Sequence, residues 1–260
     1  MGDWLDAFRA LPLASVILLA LAGNWLAFLL TLAIGHGLTR RYRRKPTTPP
    51  PEPITAKELW LATSCVLVNA LVTIAGILLW QRGVIQVRRD LDWRVALDVL
   101  VLIVAMDFLM YVFHRIAHLR WVFPLVHATH HQYNNPRPLT LFVLNPFETL
   151  AFGVLWLLVI TVYASSWPGV ALYLTFNLAF GLIGHLGVEP LPASWIAVPV
   201  VREVSTSTFH AEHHLDAGHN FGFYTLLWDR LFGTLSPAYR RDFLASQPGA
   251  AEATPSAGSI

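Results

Sequence analysis

The chain has 260 residues, 55% of them hydrophobic and only 13% charged, and its mean hydropathy is +0.52. A soluble domain carries about 25% charged residues, so this composition excludes an ordinary soluble fold and points to a membrane. The net charge of +2 gives no reason to expect a nucleic-acid partner, and the single cysteine, Cys65, excludes both a disulfide framework and a thiolate metal site.

Five apolar stretches follow in chain order, at 11–35, 59–80, 95–113, 147–164 and 170–186. At about 1.5 Å rise per residue, a run of roughly 20 residues matches a hydrocarbon layer about 30 Å thick, and the last two are short enough for a re-entrant hairpin. The expected fold class is therefore all-α: an integral membrane helical bundle with three clear transmembrane helices plus a short helical hairpin, and a cytoplasmic histidine-rich helical cap. Residues 1–45 read as an N-terminal membrane anchor, whose apolar run is too long for a cleaved signal peptide. The stretch 46–57 reads as a stiff Pro-rich linker, 58–245 as the membrane-embedded domain, and 246–260 as a disordered tail. Arg40, Arg41, Arg43, Arg44 and Lys45 crowd one end of the first segment and mark that side as cytoplasmic. Counting crossings from there returns the histidine-rich segments to the same side, although the outer loop also carries Arg82, Arg88, Arg89 and Arg94 beside Asp90 and Asp92.

Ten of the 11 histidines lie after residue 113, and eight of them fall in three clusters, H-x3-H at His114 and His118, then H-x2-H-H at His127, His130 and His131, and again at His210, His213 and His214. On a helix, residues four apart are rotated by about 40°, so His114 and His118 share a face, and each triplet spans an arc of about 100°. Neutral imidazole is the commonest side-chain metal ligand, and eight exceed the needs of one ion. His36, alone at a membrane edge, reads as a structural residue. Asp107, Tyr111, His114 and His118 follow at intervals of four, three and four, one stripe on one helix. Asp107 inside an apolar run is costly unless paired, and a metal-bound histidine commonly donates its second ring N–H to a carboxylate. The role of Tyr111 stays open.

Together, H-R-x-x-H after D-x3-Y-x2, the two later H-x-x-H-H boxes, and the closing "NFGFYTLLWDRLFGT" resemble the membrane-bound fatty acid hydroxylase and sterol desaturase superfamily, over roughly residues 95–236. The resemblance implies a centre of two iron ions on the cytoplasmic side of the bundle, which uses O2 to hydroxylate or desaturate an unactivated C–H bond of a lipid. It carries over His114, His118, His127, His130, His131, His210, His213 and His214 as metal ligands, with His185 of "GHLGVEP" as a ninth. Some members have another histidine where this chain has Glu189, which reads here as a surface charge, with a ligand or a ligand's partner as the alternatives. His219 reads as structural, and Asn220 as a residue able to hold a metal-bound water.

No G-x-G-x-x-G fingerprint and no cysteine set for an iron–sulfur cluster occur, so electrons are expected from a separate ferredoxin-like or cytochrome b5-like redox protein and its reductase. Arg115, Arg120 and Arg137 form its expected docking patch. The alternative function is a membrane zinc or iron transporter. The spans, however, carry few polar residues, Asp107, Asn69, Asn177 and a few hydroxyls among them, where transport needs many. A zinc protease would need H-E-x-x-H, which neither "HRIAH" nor "HAEHH" supplies.

Overall fold

The computed structural model describes residues 3–248. Helix α1 (Asp3–Arg9) precedes two long antiparallel helices, α2 (Leu13–Arg41) and α3 (Ala56–Gln81). A two-residue strand, β1 (Val87–Arg88), leads to α4 (Arg94–Ala117) and the single turn α5 (Phe123–Val126). Then come the hairpin helices α6 (Pro146–Val162) and α7 (Trp167–Gly184), with strand β2 (Ser165–Ser166) between them. The cap contains α8 (Ser207–Leu215), α9 (Leu227–Leu231) and α10 (Tyr239–Ala245). The expected disordered tail falls largely on residues after 248, outside those described.

Local chemistry sets the helix ends. Thr55 and Glu58 form a reciprocal capping box at the start of α3, and Asn145 with Pro146 behind it caps α6. Ser166 caps α7 and Thr206 caps α8 through side-chain bonds to Gly169 and Phe209 N–H.

Helices α2, α3, α4 and α7 are long and apolar enough to cross a membrane, and α6 falls one residue short of the 18 in α7. Their outward faces carry exposed Leu18, Leu29, Leu71, Leu100 and Leu158, an apolar surface that water would not tolerate and a bilayer requires. The chain is thus a multi-pass membrane bundle. The hairpin is deeper than a shallow re-entrant turn. Strand β2 at its tip pairs in parallel with β1, Val87 opposite Ser165, so the tip lies level with the α3–α4 connection and both arms traverse the bundle. Asp98 fastens this far end: it pairs with Arg88 at 2.8 Å and accepts from Tyr163 OH at 2.9 Å and Ser166 N–H at 2.8 Å. The arginines that complicated the outer loop are largely neutralised here, since Arg94 pairs with Asp92 and Arg89 with Asp6.

Helix α2 is a wall of the bundle as well as an anchor. Phe28 packs with Leu61, Cys65 and Phe142, and Gly35 sits so close to Pro138 that a Cβ would lie 2.6 Å from that ring. The Pro-rich stretch is strapped down rather than free, because Thr47 N–H donates to Gly187 O at 3.1 Å and Glu189 N–H to Lys45 O at 2.8 Å. A second core joins α4, α6 and α7 around Leu102, Met106, Ile160 and Tyr173, and a third, around Phe209, Leu226 and Phe243, holds the cap together.

Candidate metal centre

All nine expected histidines converge at one end of the bundle. His114 lies in the last turn of α4 and His118 caps it, His185 caps α7, and His210, His213 and His214 lie on α8. The second box differs from the expected single helix: His127 ends α5, and His130 and His131 begin a separate 3-10 turn over His130–Gln132, after which "NNPRP" stops any helix.

The rings fall into two groups. His114, His118, His127, His131 and His213 form one, and His130, His185, His210 and His214 the other, with the facing nitrogens of each within 4.8 Å of one another. Each H-x2-H-H box is thus divided. The i and i+4 pair, His127 with His131 and His210 with His214, stays together, while the middle histidine is turned into the opposite group. On α8 that division follows from helical rotation: His214, four residues after His210, returns to its side, and His213 is turned about 60° the other way. The second box reaches the same division across the break between α5 and the 3-10 turn. The groups abut, with the His131 and His214 ring centres 5.0 Å apart.

Their distances test whether metal fits. Nε2 atoms of His114 and His127 lie 2.9 Å apart, and those of His127 and His131, and of His131 and His213, 3.1 Å apart. In the other group, His130 to His185 is 3.3 Å, His185 to His210 is 3.1 Å and His210 to His214 is 3.2 Å. Two nitrogens sharing an ion at about 2.0–2.1 Å are separated by roughly 2.9 Å at a right angle and roughly 3.3 Å at a tetrahedral angle. The spacings lie in that range.

Protonation agrees. Nδ1 of His114 donates to Phe221 O at 2.9 Å, that of His213 to His219 O at 2.6 Å, that of His185 to Gly181 O at 2.7 Å and that of His127 to Glu148 Oε1 at 2.6 Å. A proton held at Nδ1 leaves Nε2 as a bare lone pair aimed into the group. Nε2 of His118 is buried with no hydrogen-bond partner among the described residues. Burial, assisted by neighbouring imidazoles, drives His118 down to about 3 and His127 to about 2, and burial alone drives His131 to about 4, so these rings are neutral at pH 7 and able to ligate.

The other expected site residues lie elsewhere in the architecture. Asp107 does not reach a histidine. Its carboxylate accepts from Tyr224 N–H at 2.8 Å, Thr225 Oγ1 at 2.6 Å and Trp228 Nε1 at 3.1 Å. Tyr111 shares a hydrogen bond with Thr234 Oγ1 at 3.0 Å and receives one from Arg115, also at 3.0 Å. Asn220, at φ 59°, donates to Phe209 O and Glu212 and accepts from Ser236 N–H, so both ends of its amide are engaged by protein. Glu189 is not a surface charge. It is 0% exposed and accepts from Thr208 N–H and Oγ1 and from Leu191 N–H, because the cap folds over it. His219 bonds Asp216 at the surface and lends only its backbone carbonyl to His213. Arg137 leaves the expected docking patch, being turned inward to pair with buried Glu58.

Two carboxylates were not anticipated. Glu148, buried in the first turn of α6, orients His127, and its signal was the one that singled out Asp107, an acid bordering an apolar run. Asp229 accepts from Phe221 N–H at 2.8 Å, Gly222 N–H at 2.7 Å and Thr234 Oγ1 at 2.7 Å. It fixes the loop whose Phe221 carbonyl holds His114. The closing segment "NFGFYTLLWDRLFGT" is therefore a scaffold, knitted by Asp107 and Asp229, that presents the Phe221 carbonyl to His114.

A profile of the Fatty acid hydroxylase family matches residues 99–234, which hold every histidine of both groups. The chain belongs to the fatty acid hydroxylase family. Relatives include the very-long-chain aldehyde decarbonylase GL1-1 of Oryza sativa subsp. indica, 31% identical over 146 residues that are 54% of this chain and 24% of that protein. GL1-4 from the same plant is 28% identical over 72% of this chain and 31% of its own length. Methylsterol monooxygenase 1 of Danio rerio is 27% identical over 48% of this chain and 42% of its own. This fatty acid hydroxylase family member thus spans less than half the length of these relatives, and no solved structure gives a significant match.

An apolar cavity of about 680 Å³ opens from the histidines into the bundle. His114, His127, His130, His185 and His210 line one end, and Trp80, Val87 and Tyr163 the other.

Proposed function

We propose that this chain is an O2-dependent lipid monooxygenase or desaturase, with hydroxylation as the favoured outcome, and that its two histidine groups hold two iron ions. The observation that carries the reading is the junction of nine converging imidazoles with a long apolar cavity, since a metal centre and an oily chain then meet at one point. The family and relatives named for aldehyde decarbonylation and methylsterol monooxygenation support it.

Iron held there would supply the O2 activation that breaks an unactivated C–H bond. The residues of the chain do the rest. Backbone carbonyls and Glu148 hold five of the rings by Nδ1 and keep their lone pairs inward. The walls from α2, α3, α4, α6 and α7 exclude water and restrict a substrate chain to lie along the bundle, so that one carbon is presented repeatedly. The transporter alternative gains no support from a cavity that is apolar along most of its length.

The histidine end faces the cytoplasm in this reading. All but five of the 18 Lys and Arg lie at that end, and the five at the other are Arg9, Arg82, Arg88, Arg89 and Arg94. Arg115 and Arg120 are exposed beside the centre and offer a positive surface to a ferredoxin-like or cytochrome b5-like reductant. The test is iron content and lipid product together: purified protein should hold about two iron ions per chain, and lipids from producing cells grown in air should gain one oxygen or lose two hydrogens. Protein that binds no iron, or a lipid change independent of O2, overturns the proposal.

A further inference from the structure

The spans carry few polar side chains, and those amides that the metal centre does not use gather in the cavity. Asn24 of α2, Asn69 and Thr73 of α3, and Tyr173 and Asn177 of α7 all line it. A polar side chain within a membrane span is costly, and its presence calls for a partner.

Two sets of polar side chains line the cavity, one on α7 and one on α2 and α3, and they present opposite hydrogen-bonding characters. On α7, Tyr224 OH donates to Asn177 Oδ1 at 2.6 Å and itself shares a hydrogen bond with Tyr173 OH at 3.0 Å. That chain fixes the amide of Asn177, which lines the cavity, and leaves its Nδ2 as a donor with no partner among the described residues. In the other set, Asn24 Nδ2 donates to Ala20 O at 2.8 Å and to Thr73 Oγ1 at 3.1 Å, and Thr73 Oγ1 donates to Asn69 O at 2.8 Å. Asn69 Nδ2 makes only a long contact of 3.6 Å to Cys65 Sγ. Asn24 Oδ1 and Asn69 Oδ1 are left as acceptors without partners among the described residues. The two sets lie near one another along the bundle, because Leu178, next to Asn177, packs against the core cluster that includes Phe28 and Cys65, four residues from Asn24 and Asn69 respectively.

A hydroxyl both accepts and donates. It is therefore the group that satisfies a donor in one set and acceptors in the other, whereas an ether or a carbonyl uses only the donor. Asn177 lies eight residues before His185, about 12 Å along the helix. We propose that these amides form a hydroxyl-recognition site about 12 Å from the histidines, and that the substrate is a lipid bearing a hydroxyl group at that distance from the carbon that reacts. The second half of this statement rests on the oxidation reading above.

Binding tests the site without turnover. Purified full-length protein in nanodiscs is loaded with tritiated 1-hexadecanol, which is displaced by unlabelled 1-hexadecanol, by its methyl ether and by hexadecane. The alcohol should bind roughly tenfold more tightly than the ether, the equivalent of about one hydrogen bond, and the alkane should be weakest. Asn177→Leu should bring alcohol and ether down to the alkane, and Asn69→Leu should remove the preference for alcohol over ether while hexadecane binding holds, which also reports that the variant is folded. Equal binding of alcohol and alkane by the unaltered protein, absence of saturable alcohol binding, or a preference untouched by both substitutions overturns the proposal. A protein that prefers the alcohol but holds no iron would sink the oxidation reading and leave this site standing; an active protein without the preference does the reverse.

Discussion

At the scale of single residues, the centre separates histidines that look alike in sequence. His185 lies 3.1 Å from His210 through Nε2, while His36 at the surface bonds Leu32 O. His185→Ala should therefore lower bound metal and abolish activity as His130→Ala or His213→Ala does, whereas His36→Ala does neither and His219→Ala has a smaller effect; metal analysis of the purified variants checks this. If His185→Ala keeps full metal and turnover, the grouping is wrong. Glu148 gives a second prediction. Removing its carboxylate in Glu148→Ala leaves His127 Nδ1 without its acceptor and should weaken metal binding by about 10–100-fold, while Glu148→Gln, which still offers an oxygen, should recover much of it in the same titration. Eight of the histidines were legible because their spacing is the ligand pattern itself, and His185, alone in the sequence, was legible only through the family resemblance. Glu148 was legible in principle, as an acid beside an apolar run. Asp107 misled for the complementary reason: a carboxylate on the ligands' own face can as well bond the backbone of a segment far off in sequence, and nothing local distinguishes the two.

At the scale of elements, loops fix what helices only bring near. His213 and His114 take their orientation from backbone carbonyls of the segment 219–235. Asp229→Ala would leave the N–H groups of Phe221 and Gly222 buried and unpaired, a cost of about 1–3 kcal/mol for each group. A fall in Tm together with reduced metal loading is the expected result. Gly187 is another such point: its φ is +69° and an added Cβ would lie 2.5 Å from Pro136 O, so Gly187→Ala should destabilise the strap over 45–48 and be seen as faster proteolysis there. Hydropathy located the helices well, since length and apolar content are local properties. It could not give the depth of the α6–α7 hairpin, which depends on strand β2 finding β1 nearly eighty residues earlier.

At the scale of the whole molecule, burying nine neutral imidazoles in one place makes stability depend on pH. An unfolded histidine takes a proton near pH 6.5, whereas His131 in the fold resists down to about 4 and His118 to about 3. As pH falls through 6.5 the unfolded chain gains protons that the folded chain does not, so stability falls, and the fall continues until the folded-state values are reached. Metal-free protein should thus show a Tm that drops steadily from pH 7 to pH 4, with bound metal raising Tm most at neutral pH; a flat Tm across that range counts against buried neutral rings.

The division of each H-x2-H-H box between the two groups has a further consequence. His130 and His131 are consecutive residues of one 3-10 turn, as His213 and His214 are of one helix, yet they serve opposite groups. An ion drawing His131 and His213 into place therefore also aligns His130 and His214. Occupancy at one position prepays the ordering at the other, so loading is expected to be concerted. Titrated with metal, the protein should pass from empty to doubly filled with little singly filled species, a distribution that native mass spectrometry reads directly.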